Sequence, residues 1–103
     1  MTRKQLITLI DQTVHALEPD ADIILYGSHA RGDARPDSDW DFLILLNGEV
    51  DYKRTDRIRD HLYDVELEYD QIISSIVRNR DEWHDKYQVT PLYKNISREG
   101  VTI

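Results

Sequence analysis

The chain has 103 residues, which is enough for one small domain with one modest core. It carries 20 Asp and Glu against 13 Lys and Arg, and the net charge of −7 argues against a protein that coats nucleic acid by neutralising phosphates. Because there is no Cys, disulfides, zinc–thiolate sites and a Cys nucleophile are excluded. The longest apolar run, Phe42 to Leu46, is too short to span a bilayer, and no signal peptide is visible, so we expect a soluble cytoplasmic protein.

The first half of the chain predicts two helices and two strands. Apolar residues at helical spacing predict a helix over about residues 3–17, with Thr2 as a possible N-cap. The short apolar run 23–26 predicts a buried strand, and residues 28–31 predict a short helix after it. The strongly apolar run 40–46 predicts a central strand that is covered on both faces.

The segment 51–69 has two periodicities. Val65, Leu67 and Tyr69 alternate with acidic residues, which is typical of a strand. A longer stripe at spacings of three and four runs through Thr55, Ile58, Leu62, Val65 and Tyr69. Because the helical stripe is longer than the alternation, we predict a helix throughout.

The last third of the chain predicts a strand and two helices, followed by a short segment for which the sequence leaves two structures open. Residues 72–77 predict a third strand, and a short helix begins at residues 81–83. Thr90-Pro91 is typical of an N-cap followed by the first helical position, so a last helix is predicted over residues 92–98. Residues 101–103 fit either a short strand or a tail. This order predicts an α/β (α+β) fold, with helices on one or both faces of a small mixed sheet.

The turn after the first strand has the features of an anion site. Gly27 follows the strand directly and lacks a Cβ, so its backbone can approach a ligand closely. Ser28 adds a hydroxyl at the start of the short helix, where free N–H groups and the positive end of the helix dipole favour negative charge.

Two carboxylates lie at the start of the next strand. Asp39 and Asp41 are separated by one residue, so their side chains project to the same face, about 6–7 Å apart along the strand. Trp40 between them would point into the core. Paired carboxylates can share divalent cations that also bind phosphate oxygens. Solvated loop acids are the ordinary interpretation of two such Asp residues alone; their combination with an anion cradle on the preceding strand is much less common.

These residues carry a family resemblance. Gly27-Ser28-x-Ala30-Arg31-Gly32 followed by Ser38-Asp39-x-Asp41 resembles the signature of minimal nucleotidyltransferases in the DNA polymerase β-like superfamily. The resemblance implies that fold as a single domain over residues 1–103. It implies transfer of a nucleoside monophosphate, preferably AMP, from a nucleoside triphosphate to a protein or other acceptor, with one or two Mg²⁺ ions.

The family's site residues are carried over by position. The resemblance implies that Gly27 and Ser28 bind phosphate, and that Asp39 and Asp41 bind metal and are catalytic. Arg31 supports either the loop or the phosphate.

A third family carboxylate, on a neighbouring strand, helps to activate the attacking hydroxyl. If the helix extends to residue 69, its expected place falls near Ser74 or Ser75, neither of which is a base or an anionic metal ligand. If the chain turns to strand earlier, then Glu66, Glu68 or Asp70 could supply the acid; a solvated helix face is the favoured interpretation of that trio.

Minimal family members often pair with a helical HEPN-type ribonuclease as the antitoxin of a toxin–antitoxin system, and some add AMP to a tyrosine of that partner. The resemblance thus implies such a partner protein and ATP as the nucleotide. The segment Thr90 to Gly100 resembles the closing segment of some stand-alone members. The alternative is a weakened or inactive member that binds a partner or senses a nucleotide.

Overall fold

Four strands and five helices follow one another in the computed structural model, which describes residues 2–103. Their bounds are α1 Arg3–Leu17, β1 Asp22–Tyr26, α2 Ser28–Arg31, β2 Trp40–Leu46, α3 Tyr52–Tyr69, β3 Ile73–Asn79, α4 Arg80–Lys86, α5 Pro91–Glu99 and β4 Val101–Thr102. The predicted elements are confirmed to within two residues. The segment 101–103, for which the sequence allowed either a strand or a tail, contains the short strand β4.

Side-chain caps explain where the helices begin. Thr2 accepts a hydrogen bond from the Gln5 backbone N–H while the Gln5 side chain accepts one from Thr2, which forms a reciprocal capping box. Asp51 caps α3 and Thr90 caps α5 in the same position. The predicted N-caps at Thr2 and Thr90 are therefore confirmed.

The four strands form one sheet in the order β3-β2-β1-β4. β1 pairs antiparallel with β2 and with β4, whereas β3 pairs parallel with β2 after the crossover through α3. In this register Asp41 lies between Tyr26 on β1 and Ser74 on β3. The residues of the predicted site thus meet at one end of the two central strands.

Helices cover both faces of the sheet. Leu6 and Ile10 of α1 and Ile58 of α3 are buried with Phe42 on one face. On the other face Leu43 and Leu45 of β2 are buried with Trp83 of α4 and Ile96 of α5. Because β2 is buried on both faces, its sequence is nearly continuously apolar rather than alternating.

The ambiguous segment is one helix of 18 residues. Ile58, Leu62 and Val65 are buried, whereas Leu67, which the strand alternative would have placed inside, is 67% exposed. The helix ends at Tyr69 and is followed by its C-cap, Asp70, whose φ of 53° lies in the left-handed region. Among residues 2–103, α3 and the other helices are all too short or too polar to cross a membrane.

Candidate functional site

Gly27 forms the sharp turn between β1 and α2. Its φ of 77° lies in the left-handed region that favours glycine. A Cβ at this position would lie 2.3 Å from Oδ2 of Asp41, closer than real Cβ atoms approach other atoms. Both the backbone angle and the space therefore require glycine here, and the turn brings the Asp41 carboxylate against the backbone of residue 27.

The helix that follows the turn has only four residues, from Ser28 to Arg31. Its first N–H groups consequently have no carbonyl within the helix to which they can donate. The Arg31 guanidinium is exposed and pairs with Asp33 at 3.2 Å and with Glu99 at 3.3 Å. Both contacts, Asp33 first, raise the pKa of Arg31, so this side chain is a fixed positive charge beside the turn.

His29 connects the turn to the segment that carries the two carboxylates. Its ring stacks on the Trp40 indole, with centroids 3.6 Å apart and an interplanar angle of 11°. His29 Nε2 lies 3.1 Å from the Ser38 carbonyl oxygen. Trp40 is buried, as predicted, and its indole N–H donates to Gln71 at 3.0 Å. The sequence alone does not indicate this role of His29, because stacking depends on a contact between separate elements.

Asp39 and Asp41 lie at the start of β2, with Asp39 exposed and Asp41 half-buried. Burial of the Asp41 carboxyl raises its pKa, and the nearby negative charge of Asp39 raises it further. His29 and Arg31 act in the opposite direction. The structure therefore brings the predicted phosphate-binding turn into direct contact with Asp41 of the predicted metal-binding pair.

The strand beside Asp41, β3, does not supply the third acid that is expected of the family. Ser74 of β3 is the neighbour of Asp41 in the parallel register, and Ser75 is the neighbour of Phe42 on the other face. Glu66 and Glu68 lie on α3, which packs on the face of the sheet opposite to Asp41. Glu68 is exposed, as a solvated helix face predicts, whereas Glu66 is half-buried. Asp70 is exposed and follows α3 as its C-cap.

Glu66 instead has a structural contact. Its Oε1 accepts a hydrogen bond from the N–H of Ile73, at 2.5 Å, on the outer edge of the sheet. The Arg59 side chain donates to the carbonyl oxygen of Ser75 on the same edge. These contacts satisfy backbone groups that an edge strand leaves unpaired.

Glu99 is a residue of this site that the sequence did not indicate. Its Oε1 accepts a hydrogen bond from the Gly27 N–H at 3.2 Å, across 72 residues of sequence. The same carboxylate contacts Arg31 and is largely buried, with a side-chain exposure of 15%. Only the pairing of β4 with β1 brings the end of α5 to the turn, so no local pattern could have found it.

The donor set fits a divalent cation that binds together with a phosphate. Mg²⁺ in nucleotide sites is usually held by one or two carboxylates, substrate phosphates and water. Asp39 and Asp41 supply such a pair. Burial, followed by the charges of Asp39 and Glu99, raises the pKa of Asp41, and a bound cation would offset these unfavourable effects. Within residues 2–103 no three His, Asp or Glu side chains converge as a preformed metal site.

Two solved structures have a fold similar to that of this chain. A crystal structure of a toxin–antitoxin with AMP-PNP matches with a TM-score of 0.66 and 17% identity, over 90% of this chain and 68% of that chain. A crystal structure of the toxin–antitoxin MntA–HpeT with a tyrosine-to-alanine substitution matches with a TM-score of 0.61 and 16% identity, over 100% of this chain and 72% of that chain. At these identities the likeness concerns the fold.

Sequence comparison gives the family. A Methanocaldococcus jannaschii protein with the provisional name of protein adenylyltransferase is 36% identical over 78 residues, which are 76% of this chain and 72% of that protein. The model of the nucleotidyltransferase domain family matches residues 7–99, a span that contains the turn, both carboxylates and Glu99. The chain therefore belongs to the nucleotidyltransferase domain family.

Proposed function

We propose that this chain binds ATP with Mg²⁺ and transfers AMP to a hydroxyl group of a partner protein, releasing pyrophosphate. The observation that supports the proposal is the contact between the Gly27 turn and Asp41, because the turn proposed to bind phosphate then lies against a carboxylate proposed to bind metal. ATP is favoured over other nucleotides because one relative is named an adenylyltransferase and one structural neighbour was crystallised with AMP-PNP.

Each residue of the site has a task in this reaction. The Gly27 and Ser28 turn receives the polyphosphate, and Arg31 adds positive charge at its edge. Asp39 and Asp41 hold Mg²⁺, which neutralises phosphate charge and aligns the α-phosphorus when it is bound. The acceptor oxygen would bond to the α-phosphorus while the bond from that phosphorus to the α,β-bridging oxygen breaks. The bridging oxygen leaves as part of pyrophosphate, and the acceptor proton passes to water.

The acceptor is proposed to be a protein because both structural neighbours are toxin–antitoxin assemblies. A helical HEPN-type toxin with an acceptor tyrosine is the partner that the family resemblance favours. The net charge of −7 argues against non-specific binding to nucleic acid. Because the proposed reaction uses ATP, we expect a cytoplasmic protein, and this localisation stays a prediction.

A second function is favoured by Ser74. A serine hydroxyl next to Asp41 does not accept a proton from an attacking group near neutral pH and is not an anionic metal ligand. A chain that holds ATP and Mg²⁺ but transfers AMP slowly would act as a nucleotide-dependent binding module for its partner. The two functions share the ATP site and differ in the rate of the chemical step.

The experiment that tests the proposal is transfer from ATP labelled at the α-phosphate. The chain is incubated with Mg²⁺ and the protein encoded beside its gene, and the label on the partner is measured by gel and mass spectrometry. Transfer that is lost in Asp39→Asn and Asp41→Asn, but kept in the exposed loop variant Asp37→Asn, would support an enzyme. Binding of ATP without label on the partner would favour the binding module, and absence of ATP binding would contradict both.

A further inference from the structure

The side chain of Glu99 contacts the same groups that the proposed function assigns to phosphate. Its Oε1 accepts the hydrogen bond from the Gly27 N–H at 3.2 Å. Both of its oxygens lie 3.3 Å from the same terminal nitrogen of Arg31. A carboxylate held by one backbone N–H and one guanidinium resembles the way in which proteins hold a phosphate oxygen.

The backbone that carries Glu99 is fixed in place. Gly100 follows it, and a Cβ there would lie 2.5 Å from the Ile96 carbonyl oxygen and 2.7 Å from Cγ2 of Ile24. The next residue, Val101, pairs with Leu25 of β1. The end of α5 thus has little room to shift, and the Glu99 carboxylate can leave the turn only by rotation of its side chain.

Glu99 adds a third negative charge near the carboxylates of Asp39 and Asp41. Asp41 contacts the same turn on the side where a Gly27 Cβ would point, whereas Glu99 contacts its N–H. Among residues 2–103 no three acidic or His side chains converge on a common metal position. Glu99 is therefore placed as a partner of the turn and of Arg31, and not as a third metal ligand beside Asp39 and Asp41.

We infer that Glu99 is an internal competitor of the polyphosphate, so that it sets the affinity of the site for anionic ligands. This inference rests on the proposed function, because it takes the Gly27 turn and Arg31 as the phosphate contacts. The Glu99 side chain rotates away when a polyphosphate binds, and the energy needed for this lowers the affinity. The residue thereby limits binding to ligands whose several phosphate charges, with Mg²⁺, outweigh one carboxylate.

The test is calorimetric titration of the wild-type chain and Glu99→Gln with ATP and with inorganic tripolyphosphate, both in the presence of Mg²⁺. Gln keeps an oxygen that can accept from the Gly27 N–H but loses the charge. We expect Glu99→Gln to bind both ligands more tightly, by about fivefold or more, because a charged contact no longer has to be broken. Glu68→Gln, an exposed change of equal charge on α3, is the matched control and should leave the affinity unchanged.

Two further measurements separate competition from a general structural effect. Adenosine, which has no phosphate, should bind equally to wild type and Glu99→Gln. In amide NMR spectra, the Gly27 resonance of the wild-type chain should shift when tripolyphosphate is added.

The outcomes distinguish this inference from the proposed function. Equal or weaker binding of tripolyphosphate by Glu99→Gln, with wild type binding ATP, would overturn the inference and leave the proposed function standing. No binding of ATP or tripolyphosphate by either protein would contradict both.

Discussion

Asp41 on β2 and Ser74 on β3 are direct neighbours in the parallel register of the sheet. The side chains of paired residues on adjacent strands project to the same face, so a longer acidic side chain at position 74 would reach the surroundings of Asp41. The neighbouring pair, Phe42 and Ser75, projects to the opposite face, which α3 covers. The same acidic substitution at Ser74 and at Ser75 therefore places a charge beside Asp41 in one variant and on the opposite face in the other.

We predict that Ser74→Asp speeds the release of AMP and pyrophosphate from ATP, with water as acceptor. An acid at this position can take the proton of the attacking group, and partial recovery of a general base should raise the rate by about tenfold or more. The measurement is the appearance of labelled AMP under saturating ATP and Mg²⁺. Ser75→Asp places the same charge on the other face, and equal rates for the two variants would refute the explanation.

Gly27 and Gly32 form a second matched pair. Both have positive φ, 77° and 86°, but a Cβ at Gly27 would meet Asp41, whereas a Cβ at Gly32 would meet nothing within 4 Å. Substitution by Ala should cost about 1–2 kcal/mol of stability at Gly32 through the backbone angle. The cost should be larger at Gly27, because its φ of 77° is combined with a ψ of −159°, a conformation that is essentially restricted to glycine. Only Gly27→Ala should also displace the Asp41 carboxylate and weaken ATP binding, by about tenfold or more.

Thermal melts and calorimetric titrations of both glycine variants check this prediction. The expected result is a lower melting temperature for Gly27→Ala than for Gly32→Ala, with both variants folded at the temperature of the titration, and ATP binding weakened by about tenfold or more in Gly27→Ala alone. Equal ATP affinity in the two variants would show that the contact between residue 27 and Asp41 has no part in binding.

His29 gives a prediction about the position of the carboxylates. Its ring stacks on Trp40 and contacts the Ser38 carbonyl, so it fixes the backbone on both sides of Asp39. His29→Phe keeps a stacking ring but loses the hydrogen bond, and His29→Ala loses both. ATP affinity measured with Mg²⁺ should fall in the order wild type, His29→Phe, His29→Ala, and an unchanged affinity in His29→Ala would contradict a positioning role.

Most of the fold was predictable because its signals are local. The apolar stripe of α3, the caps at Thr2 and Thr90 and the apolar run of β2 each depend on residues close in sequence. The motif residues around Gly27 and Asp41 were found for the same reason, although their roles stay predictions. Glu99 and the stacking of His29 on Trp40 depend on which elements become neighbours, and that information lies in the sheet order.

Asp41 also predicts how stability depends on pH. Burial, followed by the charge of Asp39, raises the pKa of Asp41 in the folded protein. Between its ordinary value of 3.8 and the raised value, the folded chain binds more protons at this carboxyl than the unfolded chain does. The contribution of Asp41 to stability therefore falls as the pH rises through that window, and the penalty persists at neutral pH.

Asp41→Asn should accordingly melt at a higher temperature than wild type at pH 7, and the difference should shrink as the pH is lowered below 3.8. Melting curves by circular dichroism over this range make the measurement. Asp37→Asn, which removes one exposed loop carboxylate, controls for the change in net charge. A destabilised Asp41→Asn at pH 7 would show that the carboxylate stabilises the fold, contrary to this account.

Calorimetric titration of ATP, with and without Mg²⁺, tests most directly the claim that Asp39 and Asp41 hold a metal-bound nucleotide at the Gly27 turn. We expect Mg²⁺ to strengthen ATP binding to the wild-type chain and to Asp37→Asn by about tenfold or more, since the cation offsets the repulsion between phosphate and carboxylates. The double variant Asp39→Asn, Asp41→Asn should show no such dependence on Mg²⁺. Binding of ATP to this double variant with the same Mg²⁺ dependence as wild type, or no binding of ATP to wild type, would contradict the account.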